Sequence, residues 1–316
     1  MHYKIGIVGL GSIGKRHLRN LPSVAAQRHS SIEIDLIRSR PPQKSEIEKT
    51  IDTHIHRVYS LHDTIPHDYD VIFITNPTYK HFATIKKFVS HTKHMFIEKP
   101  IFHHTQISID ELNLNPSSTY YIACPLRYTQ IIQYLVKQEF LHDVISARVI
   151  CSSYLPSWRP DVDYRTIYSA HKSEGGGVSL DLIHEWDYLT YLFGFPEKID
   201  YLSGKYSSLE IDSEDIAVYI AQYKNLLLEL HLDYFSHIPR RMIELYTDSD
   251  FISIDLLNNE IRKNNVPFTY DFTEERDDYQ RAELDHFFDI LEGKVPNDNS
   301  VSRALKTVNL AMGVIS

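Results

Sequence analysis

The hydrophobic positions in the first part of the chain form short runs that are separated by helix-compatible stretches. The runs that read as strands are Lys4–Val8, Ile32–Ile37, Val71–Thr75, Met95–Ile97 and Tyr120–Ala123. Amphipathic stretches lie between them, one from Lys15 to Leu21 ahead of Pro22 and one from Tyr79 to about Ser90. Strands that alternate with helical patterns predict a parallel sheet covered by helices.

The hydrophobic pattern changes after a helical stretch at Thr129–Phe140. From Val144 onward, long strand-like runs follow one another, several of them joined by short turns: Val144–Ser153, Lys198–Tyr206, Ile216–Tyr223, Leu226–Tyr234, Met242–Thr247 and Phe251–Leu256. They predict a mostly antiparallel sheet, followed by closing helices at Arg276–Glu292 and Val301–Val314. We expect the free face of this sheet to join copies of the chain into a homodimer or homotetramer.

Length and charge restrict the kind of partner. At 316 residues the chain can bury the core of two domains, which we place at 1–123 and 124–316. The net charge is −9 and Lys and Arg form no long run, which argues against nucleic acid or an anionic membrane as the main partner. No apolar run reaches the length of a membrane span, and the chain enters a strand pattern at once, so we expect neither a membrane segment nor a signal peptide.

Cysteine and histidine usage adds two further expectations. Cys124 and Cys151 both lie in apolar, strand-like contexts, which indicates free thiols and fits a cytoplasmic protein. The chain has 18 histidines, with close pairs at His54/His56, His91/His94 and His103/His104. No pair has a further histidine, cysteine or aspartate at a ligand spacing, so we predict no metal site.

The clearest motif is Gly9-Leu-Gly11-Ser-Ile-Gly14, which follows the first predicted strand and precedes the first predicted helix. This context is the one that dinucleotide binding demands: the first glycine makes the turn, the second admits the pyrophosphate, and the third lets helix and strand pack closely. The helix N-terminus, including Ser12 and Ile13, supplies N–H donors for the phosphates. The motif predicts an N-terminal dinucleotide-binding domain of the Rossmann type.

The residues after the second strand bear on the choice of cofactor. An NAD-preferring site usually has an acidic residue there for the ribose 2′-hydroxyl, whereas this chain has Arg38-Ser39-Arg40. Glu33 and Asp35 come too early in the strand to take that role. Two guanidinium groups and a hydroxyl suit a 2′-phosphate, so we favour NADP over NAD.

Polar residues follow the third and fourth predicted strands. Asn76-Pro77 comes after Val71–Thr75, and Glu98-Lys99-Pro100 comes after Met95–Ile97. Ligands of open α/β sheets bind at the carboxyl ends of strands, which places these residues on the cofactor side. Pro100 restricts the backbone at Lys99, so this lysine is a candidate catalytic residue, although it could also be an ordinary surface lysine.

A glycine-rich turn and a predicted helix occupy Gly175–Gly194. Leu182, Trp186, Leu189 and Phe193 form one apolar stripe, and His184 lies roughly opposite it. Asp181 and Asp187 flank His184 at three residues on either side. A titratable histidine between two carboxylates is a candidate acid–base group; a solvated polar face explains the same pattern.

The loop before this turn is rich in aromatic and basic residues. Trp158, Arg159, Arg165 and Tyr168 are candidate substrate-binding residues, together with Arg127 at the crossover between the domains. Guanidinium groups bind carboxylates or phosphates in a bidentate manner, which favours an anionic sugar or a nucleotide-linked sugar. An ordinary surface loop, with its arginines paired to neighbouring aspartates, remains the alternative.

These motifs together resemble the glucose–fructose oxidoreductase / inositol dehydrogenase / MocA family over almost the whole chain. The resemblance rests on Gly9–Gly14, Asn76-Pro77 followed by His81, Glu98–Pro100 and Gly175–Asp187, in this order. It implies a Rossmann domain and a C-terminal α/β domain with an open, mostly antiparallel sheet. It also implies a cofactor site formed by Gly9, Gly11, Ser12, Ile13, Gly14, Arg38, Ser39, Arg40, Thr75, Asn76, Pro77, His81, Glu98 and Lys99.

The resemblance assigns the family's catalytic lysine to Lys99 and its catalytic histidine to His184, with the substrate near His184 and Asp181. One position departs from the family pattern, because the aspartate usually found four residues before the histidine is Leu180 here. Asp181 is a weaker candidate for the role of that aspartate.

The implied activity is transfer of a hydride between a nicotinamide cofactor and a carbinol or carbonyl carbon of a sugar-like substrate. The stretch Trp158–Tyr168, together with the glycine-rich helix, is similar to a subgroup of this family that is associated with bacterial cell-surface sugar biosynthesis, and the resemblance implies such a role. Two alternatives remain open at this point: a non-catalytic, nucleotide-dependent sensor on the same fold, and a glycosidase that uses NAD transiently.

Overall fold

The computed structural model describes residues 1–39, 54–268 and 270–315. The α-helices in these ranges are α1 Ser12–Gln27, α2 His81–Phe88, α3 Gln130–Leu135, α4 Val178–Asp181, α5 His184–Phe193, α6 Arg276–Leu291 and α7 Val301–Ala311. Contacts divide the described chain into two compact units, the first consisting of Met1–Phe102, Gln106–Ala123 and Arg276–Arg303, and the second of His103–Thr105, Cys124–Glu275 and Ala304–Ser316.

The first unit is built on a six-stranded parallel sheet. Its strands are β1 His2–Val8, β2 Ser31–Arg38, β3 Ile55–Ser60, β4 Tyr69–Ile74, β5 Thr92–Ile97 and β6 Tyr120–Ile122, in the order β3-β2-β1-β4-β5-β6. All five neighbouring pairs are parallel, so the carboxyl ends of the strands lie at one edge. The strand order reverses between β1 and β4, and that reversal is where doubly wound sheets bind their ligands.

Helix α1 runs through Pro22, whereas the sequence predicted that the helix would stop there. The residues before and after the proline, Leu18, Leu21 and Val24, are almost completely buried. Pro22 removes one backbone hydrogen bond, but burial of this apolar face stabilises the helix on both sides of it.

Helix α6 also belongs to the first unit, although the sequence analysis assigned its residues to the second domain. Its acidic side chains pair with α1: Arg16 Nη1 lies 2.7 Å from Asp277, and Arg28 lies 2.5 Å from Asp285 and 2.8 Å from Asp289. Because these partners are more than 250 positions apart in the chain, no local pattern could have revealed the pairing.

The second unit contains an eight-stranded sheet. Its strands are β7 Ser146–Tyr154, β8 Lys198–Gly204, β9 Ile216–Gln222, β10 Leu227–Asp233, β11 Phe235–Tyr246, β12 Phe251–Asp255, β13 Glu260–Lys263 and β14 Val266–Pro267, in the order β14-β13-β12-β11-β7-β10-β9-β8. Only the pair β7–β10 is parallel among these described strands, so the prediction of a mostly antiparallel sheet is confirmed.

One face of this second sheet is covered by α5. Trp186 packs edge-on against Tyr219 of β9, with ring centroids 5.2 Å apart, and both side chains are fully buried. Side chains on the opposite face of the sheet are more exposed to solvent. Among them are Leu202, which is 80% exposed, and Ile220. Strand β11 starts seven residues earlier than predicted and has a register shift against β7 between Phe235 and Arg240.

Candidate active site

In the turn between β1 and α1, the first and third glycines leave no room for a side chain, whereas the second glycine does. Gly9 has a φ of +98°, and a Cβ there would lie 2.9 Å from the backbone nitrogen of Asn76. A Cβ at Gly14 would lie 2.6 Å from the carbonyl oxygen of Gly9 and 2.7 Å from Thr75 Oγ1. At Gly11, no atom of the described residues lies within 4 Å of the position a Cβ would take. The structure therefore leaves room for a phosphate where the motif requires it.

The start of α1 offers hydrogen-bond donors at this open point. Gly11 is the N-cap and makes no side-chain cap, and the first turn carries no acidic residue. The amides of Ser12 and Ile13 belong to that first turn, where backbone N–H groups lack helical partners. A helix N-terminus of this kind favours an anion. Thr75 fixes the turn from the side, since its Oγ1 lies 2.9 Å from the carbonyl oxygen of Gly9.

The segment after β4 forms a second part of the same edge. Asn76 donates from Nδ2 to Thr84 Oγ1 over 2.8 Å, whereas its Oδ1 is buried without a hydrogen-bond partner among the described residues. A buried acceptor without a donor is costly, so a ligand donor such as a ribose hydroxyl fits this position. Pro77 is exposed and leads into the following helical turn.

His81 braces two loops at the strand ends. Its Nε2 lies 2.9 Å from the carbonyl oxygen of Asn76 and its Nδ1 lies 3.1 Å from that of Ile101. Burial lowers the pKa of His81, which leaves a neutral ring able to donate to one carbonyl at a time. The side chain is 1% exposed, and its contacts link the end of β4 to the segment after Lys99.

Glu98 and Lys99 follow β5. The backbone of this segment is held by neighbouring strands, because Glu98 N donates to Ile74 O over 2.9 Å and Ala123 N donates to Ile97 O over 2.7 Å. Glu98 Oε1 also lies 2.6 Å from Nε2 of the buried His17 on α1. Lys99 is half-buried and stands at the edge of the sheet that carries the glycine turn.

The end of β2 is described only in part. Arg38 is the last residue of the strand and is half-buried, and Ser39 is exposed. Arg40 lies outside the described residues. Asp35, within β2, accepts a 2.8 Å hydrogen bond at Oδ2 from the hydroxyl of Tyr69, so its carboxylate already has a partner.

Glu33, Asp35 and His56 form a cluster that could hold a metal ion, since one ligand atom of each lies within 4.8 Å of the others. His56 Nδ1 is 3.2 Å from Glu33 Oε1 and 3.3 Å from Asp35 Oδ1. The sequence analysis found no carboxylate at a ligand spacing from His56, because the carboxylates come from the neighbouring strand. The contacts also describe a histidine paired with two carboxylates, which needs no ion.

The helix carrying His184 is interrupted, whereas the sequence predicted a single helix from about Ser179. Helix α4 ends at Asp181 and α5 begins at His184, with Leu182 and Ile183 in a turn between them. The stripe residues Leu182, Trp186 and Leu189 are buried as expected, but Glu185 and Asp187 are buried as well. The solvated-face interpretation therefore fails for this stretch.

The carboxylates expected on either side of His184 bind other groups. Asp181 Oδ2 accepts a 2.5 Å hydrogen bond from Tyr234, and Asp181 also interacts with Tyr168. Both oxygens of Asp187 accept from Arg127, at 2.7 and 2.8 Å. The break at Leu182–Ile183 explains the first difference, because positions across it do not follow the helical angle of 100° per residue.

His184 instead lies against a charged cluster that includes Glu185 and Arg241. Its Nε2 is 2.7 Å from Arg241 Nη2 and 3.3 Å from Glu185 Oε1. Glu185 is fully buried and accepts from Tyr188 over 2.6 Å, while Arg241 Nε lies 2.9 Å from its Oε1. Burial alone would raise the pKa of Glu185, but the positive charge of Arg241 together with His184 and Tyr188 lowers it to about 2.

The arginines of the candidate substrate site differ in their surroundings. Arg127 is 1% exposed, bound to Asp187, and lies over the ring of Tyr191, which makes it part of the core. Arg165 pairs on the surface with Asp163 at 2.7 Å and with Glu210 at 2.9 Å. Arg159 is exposed, with no ion pair to another described residue.

The aromatic residues of this loop pack inward. Trp158 donates from Nε1 to Ser153 Oγ over 3.1 Å and packs edge-on against Tyr234, 5.3 Å between ring centroids. Burial raises the pKa of Tyr168 well above its usual value, and the charge of Asp181 adds to the shift. The loop is therefore tied to α4 through Tyr168, Asp181 and Tyr234.

Comparison with known proteins adds to this geometry. Residues 3–112 match the model of a family described as an oxidoreductase family with an NAD-binding Rossmann fold. The resemblance to the glucose–fructose oxidoreductase / inositol dehydrogenase / MocA family is confirmed. The uncharacterized oxidoreductase YrbE of Bacillus subtilis (strain 168) is 27% identical over 241 residues, which is 70% of this chain and 63% of that protein.

Solved structures share the fold over 99% of this chain. UDP-N-acetylglucosamine 3-dehydrogenase GnnA from Acidithiobacillus ferrooxidans aligns over 97% of its own length with a TM-score of 0.74 and 18% identity. Levoglucosan dehydrogenase, in complex with NADH and levoglucosan, aligns over 96% of its length with a TM-score of 0.82 and 13% identity. The predicted fold class, a Rossmann domain plus a second domain with a mostly antiparallel sheet, is confirmed.

Three residues that contact candidate site residues were missed by the sequence analysis. Glu185 and Arg241 contact His184, and His17 contacts Glu98. The sequence pattern could have indicated Arg241, because it lies two and four residues before the buried Ile243 and Leu245 on β11. Side chains at this spacing lie on the same face of a strand. Leu180, at the position where the resembled family usually has an aspartate, is buried.

Among the described residues, no helix has the length and apolar character needed to cross a bilayer.

Proposed function

We propose that the chain is an NAD(P)-dependent dehydrogenase or reductase that acts on a hydroxyl or carbonyl carbon of a sugar or sugar derivative. The observation that supports this most is the common edge of the first sheet: the glycine turn follows β1, Asn76 follows β4 and Lys99 follows β5, on three adjacent parallel strands. A phosphate-binding turn and a half-buried lysine on one edge suit a reaction at a bound dinucleotide.

The cofactor, when bound, supplies or accepts the hydride at its nicotinamide ring. The residues that would hold its phosphates are Gly11, Ser12 and Ile13, with Asn76 offering its unpaired acceptor. Lys99 exchanges a proton with the substrate oxygen, because an amine can take the hydroxyl proton and an ammonium can return it. His184, on the second unit, is the second acid–base candidate. Whether Asp181 takes part remains a prediction, since its carboxylate is bound by Tyr234 and Tyr168.

The preferred cofactor is NADP. This rests on Arg38 and Ser39 at the end of β2, on Arg40 as the next residue of the sequence, and on the hydrogen bond that Asp35 accepts from Tyr69. Each charged hydrogen bond to a 2′-phosphate contributes about 1.5–3 kcal/mol, or roughly ten- to a hundredfold in affinity. Levoglucosan dehydrogenase, a structural neighbour, was solved with NADH, so NAD remains the alternative.

The experiment is a fluorescence titration of NADPH and NADH followed by a turnover panel. NADPH should bind more tightly than NADH, and Arg38→Ala should reduce the ratio of the two affinities. Arg57→Ala, on the neighbouring strand, is the matched control and should leave this ratio of affinities unchanged. Equal affinities would overturn the NADP preference. A panel of sugars, nucleotide-linked sugars and cyclitols that gave no cofactor turnover would overturn the enzymatic function.

We also propose that the open face of the second sheet joins copies of the chain. Exposed apolar side chains on this face, such as Leu202 and Ile220, lie on neighbouring strands. Leu202→Asp should lower the mass measured by light scattering, whereas Lys198→Asp, at the start of the same strand, should not. A cytoplasmic location and a role in cell-surface sugar biosynthesis remain predictions; two free, buried cysteines are compatible with the first.

A further inference from the structure

We propose that His17 is a positioning residue of the cofactor site: it donates a hydrogen bond to Glu98 and so holds that carboxylate as an acceptor for the nicotinamide-side nucleoside of the dinucleotide. The inference rests on the proposed function for its ligand, and both residues belong to the first unit. The contact that carries it is the 2.6 Å distance between His17 Nε2 and Glu98 Oε1.

His17 is a polar side chain in apolar surroundings. It lies on α1, three residues after the last glycine of the turn, and is 1% exposed. Its ring packs against those of Phe73 and Phe96, with centroids 5.4 and 5.1 Å away. A buried polar ring needs a hydrogen-bond partner, and among the described residues Glu98 supplies it.

The second ring nitrogen of His17 indicates where the proton lies. Nδ1 is buried and has no hydrogen-bond partner among the described residues. An imidazolium would bury a charge and leave an N–H unpaired at this atom, and the neutral form with its proton on Nδ1 would also leave that N–H unpaired. The neutral form with its proton on Nε2 leaves only a lone pair unpaired, and it donates to Glu98 Oε1.

Glu98 offers its second oxygen at the edge of the sheet. It follows β5, and its backbone N–H donates to the carbonyl oxygen of Ile74, at the end of β4, over 2.9 Å. Its side chain is 11% exposed, and its Oε2 makes no hydrogen bond with another described residue. Burial lowers the pKa of the nearby His81, and the charge of Glu98 opposes that shift. A carboxylate with one anchored oxygen and one open oxygen suits a ligand that donates hydrogen bonds.

The strand order indicates which half of the dinucleotide meets Glu98. In sites of this kind the phosphates bind at the turn after β1, and the ribose of the adenosine half lies toward the end of β2. We expect the other half to extend toward β4 and β5, which lie on the opposite side of β1. At the usual spacing between strands, β5 is roughly 10 Å from β1, a distance that a ribose and its base can span. The donors on that half are the ribose hydroxyls and the carboxamide.

The first test separates the two halves of the cofactor by titrating the full chain with NADPH, 2′-phospho-ADP-ribose and adenosine 2′,5′-bisphosphate. His17→Leu removes the donor and should weaken NADPH by about ten- to a hundredfold, the size of a hydrogen bond to a charged group. Its affinity for the bisphosphate, which lacks the second ribose, should stay within about twofold. His17→Gln keeps an N–H group at nearly the distance of Nε2 and should recover most of the loss. A loss shared by phospho-ADP-ribose identifies the ribose hydroxyls as donors, and a loss confined to NADPH identifies the carboxamide.

Two results of these titrations would overturn the inference. One is an unchanged affinity of His17→Leu for NADPH. The other is an equal loss for the bisphosphate, because it would show that the variant displaces α1 and its turn. His94→Leu, which removes a half-buried histidine from β5, is the control and should change none of the affinities. A wild type that binds neither NADPH nor NADH would refute the proposed function together with this inference, whereas the first two results refute the inference alone.

The second test asks whether His17 acts through Glu98. Glu98→Ala should weaken NADPH about as much as His17→Leu does. Adding His17→Leu to Glu98→Ala should weaken it by less than about twofold more, since the acceptor is already gone. Losses that multiply would mean two independent contributions and would refute the positioning role.

The third test needs no cofactor. Long-range ¹H–¹⁵N spectra of the ¹⁵N-histidine-labelled full chain distinguish the two neutral tautomers from each other and from the imidazolium, and the signal absent from His17→Gln identifies His17. We expect a neutral ring with its proton on Nε2 at pH 7. A proton on Nδ1, in the other tautomer or in an imidazolium, would overturn the assignment of His17 as a neutral donor.

Discussion

The glycine turn of the first unit and the surroundings of His184 in the second unit differ in how their residues come together. In the glycine turn, every partner is close in the chain or on an adjacent strand end: Gly9, Gly14 and Thr75 pack against one another, and Gly11 is left open. Around His184, the carboxylates at helical spacing bind elsewhere, and His184 Nε2 lies 2.7 Å from Nη2 of Arg241, 57 positions away. A site made by local backbone geometry can be read from a motif, whereas a site made by side chains from distant strands cannot.

The largest effect is expected at Lys99, which was identified from its place at a strand end. Lys99→Met removes the group that exchanges the proton, so kcat should fall by roughly 10²–10⁴ while the cofactor affinity stays within about twofold. Steady-state kinetics and fluorescence titration measure the two quantities. Lys86→Met, an exposed lysine on α2 of the same unit, should change neither. Turnover near that of the wild type would return Lys99 to the role of an ordinary lysine.

The sequence predicted the backbone scaffold well because periodicity reports which face of an element is buried. Both sheets, the glycine turn and the edge that carries Lys99 follow from such patterns. It failed where side chains bridge distant elements or where a helix is interrupted. The break at Leu182–Ile183 carries no glycine or proline that could have signalled it, and the contacts of Arg127, Arg241 and His17 depend on how whole elements are placed.

The second prediction concerns Arg127, which the sequence suggested as a substrate residue and the structure places in the core. Arg127→Leu leaves Asp187 buried and unpaired, so the free energy of unfolding should fall by about 3–5 kcal/mol. The double variant Arg127→Leu/Asp187→Leu should recover most of the lost free energy of unfolding, since no unpaired buried charge remains. Urea denaturation measures both. A normal stability combined with a raised KM would instead support substrate binding.

The third prediction separates stability from binding within the glycine turn. Gly14→Ala forces a Cβ against the Gly9 carbonyl and Thr75, and we expect it to destabilise the chain by about 1–3 kcal/mol. Gly11→Ala meets no described atom within 4 Å, so its stability should change by only about 0.5 kcal/mol. It should nevertheless weaken cofactor binding, because the added methyl occupies the space for the pyrophosphate. Thermal unfolding measures the stability of both variants, and titration measures their cofactor affinity. Equal losses of stability in the two variants would contradict the different roles assigned to Gly11 and Gly14.

The smallest effects are expected in the loop before the glycine-rich turn, where the sequence left a substrate role and a surface role open. Arg165 is already paired with Asp163 and Glu210, so its charge is balanced by two carboxylates. Arg159 has no such pair among the described residues, and its charge lies near Tyr168. If the substrate carries an anionic group, Arg159→Ala should raise its KM by about tenfold, the lower end for an exposed, screened charged hydrogen bond. Arg165→Ala should leave KM unchanged.

A matched panel of neutral and anionic sugars, assayed with NADP⁺ and NADPH, measures this difference between the two arginines. An effect of Arg159→Ala confined to anionic sugars would assign the loop to substrate recognition through one residue. If neither variant alters KM for any sugar, both arginines belong to the surface, and the anionic substrate loses its support, because the third arginine, Arg127, is bound to Asp187 in the core. A larger effect at Arg165 would mean that its surface pairs open when substrate binds, which would place this loop in the same class as the surroundings of His184: contacts that sequence spacing does not reveal.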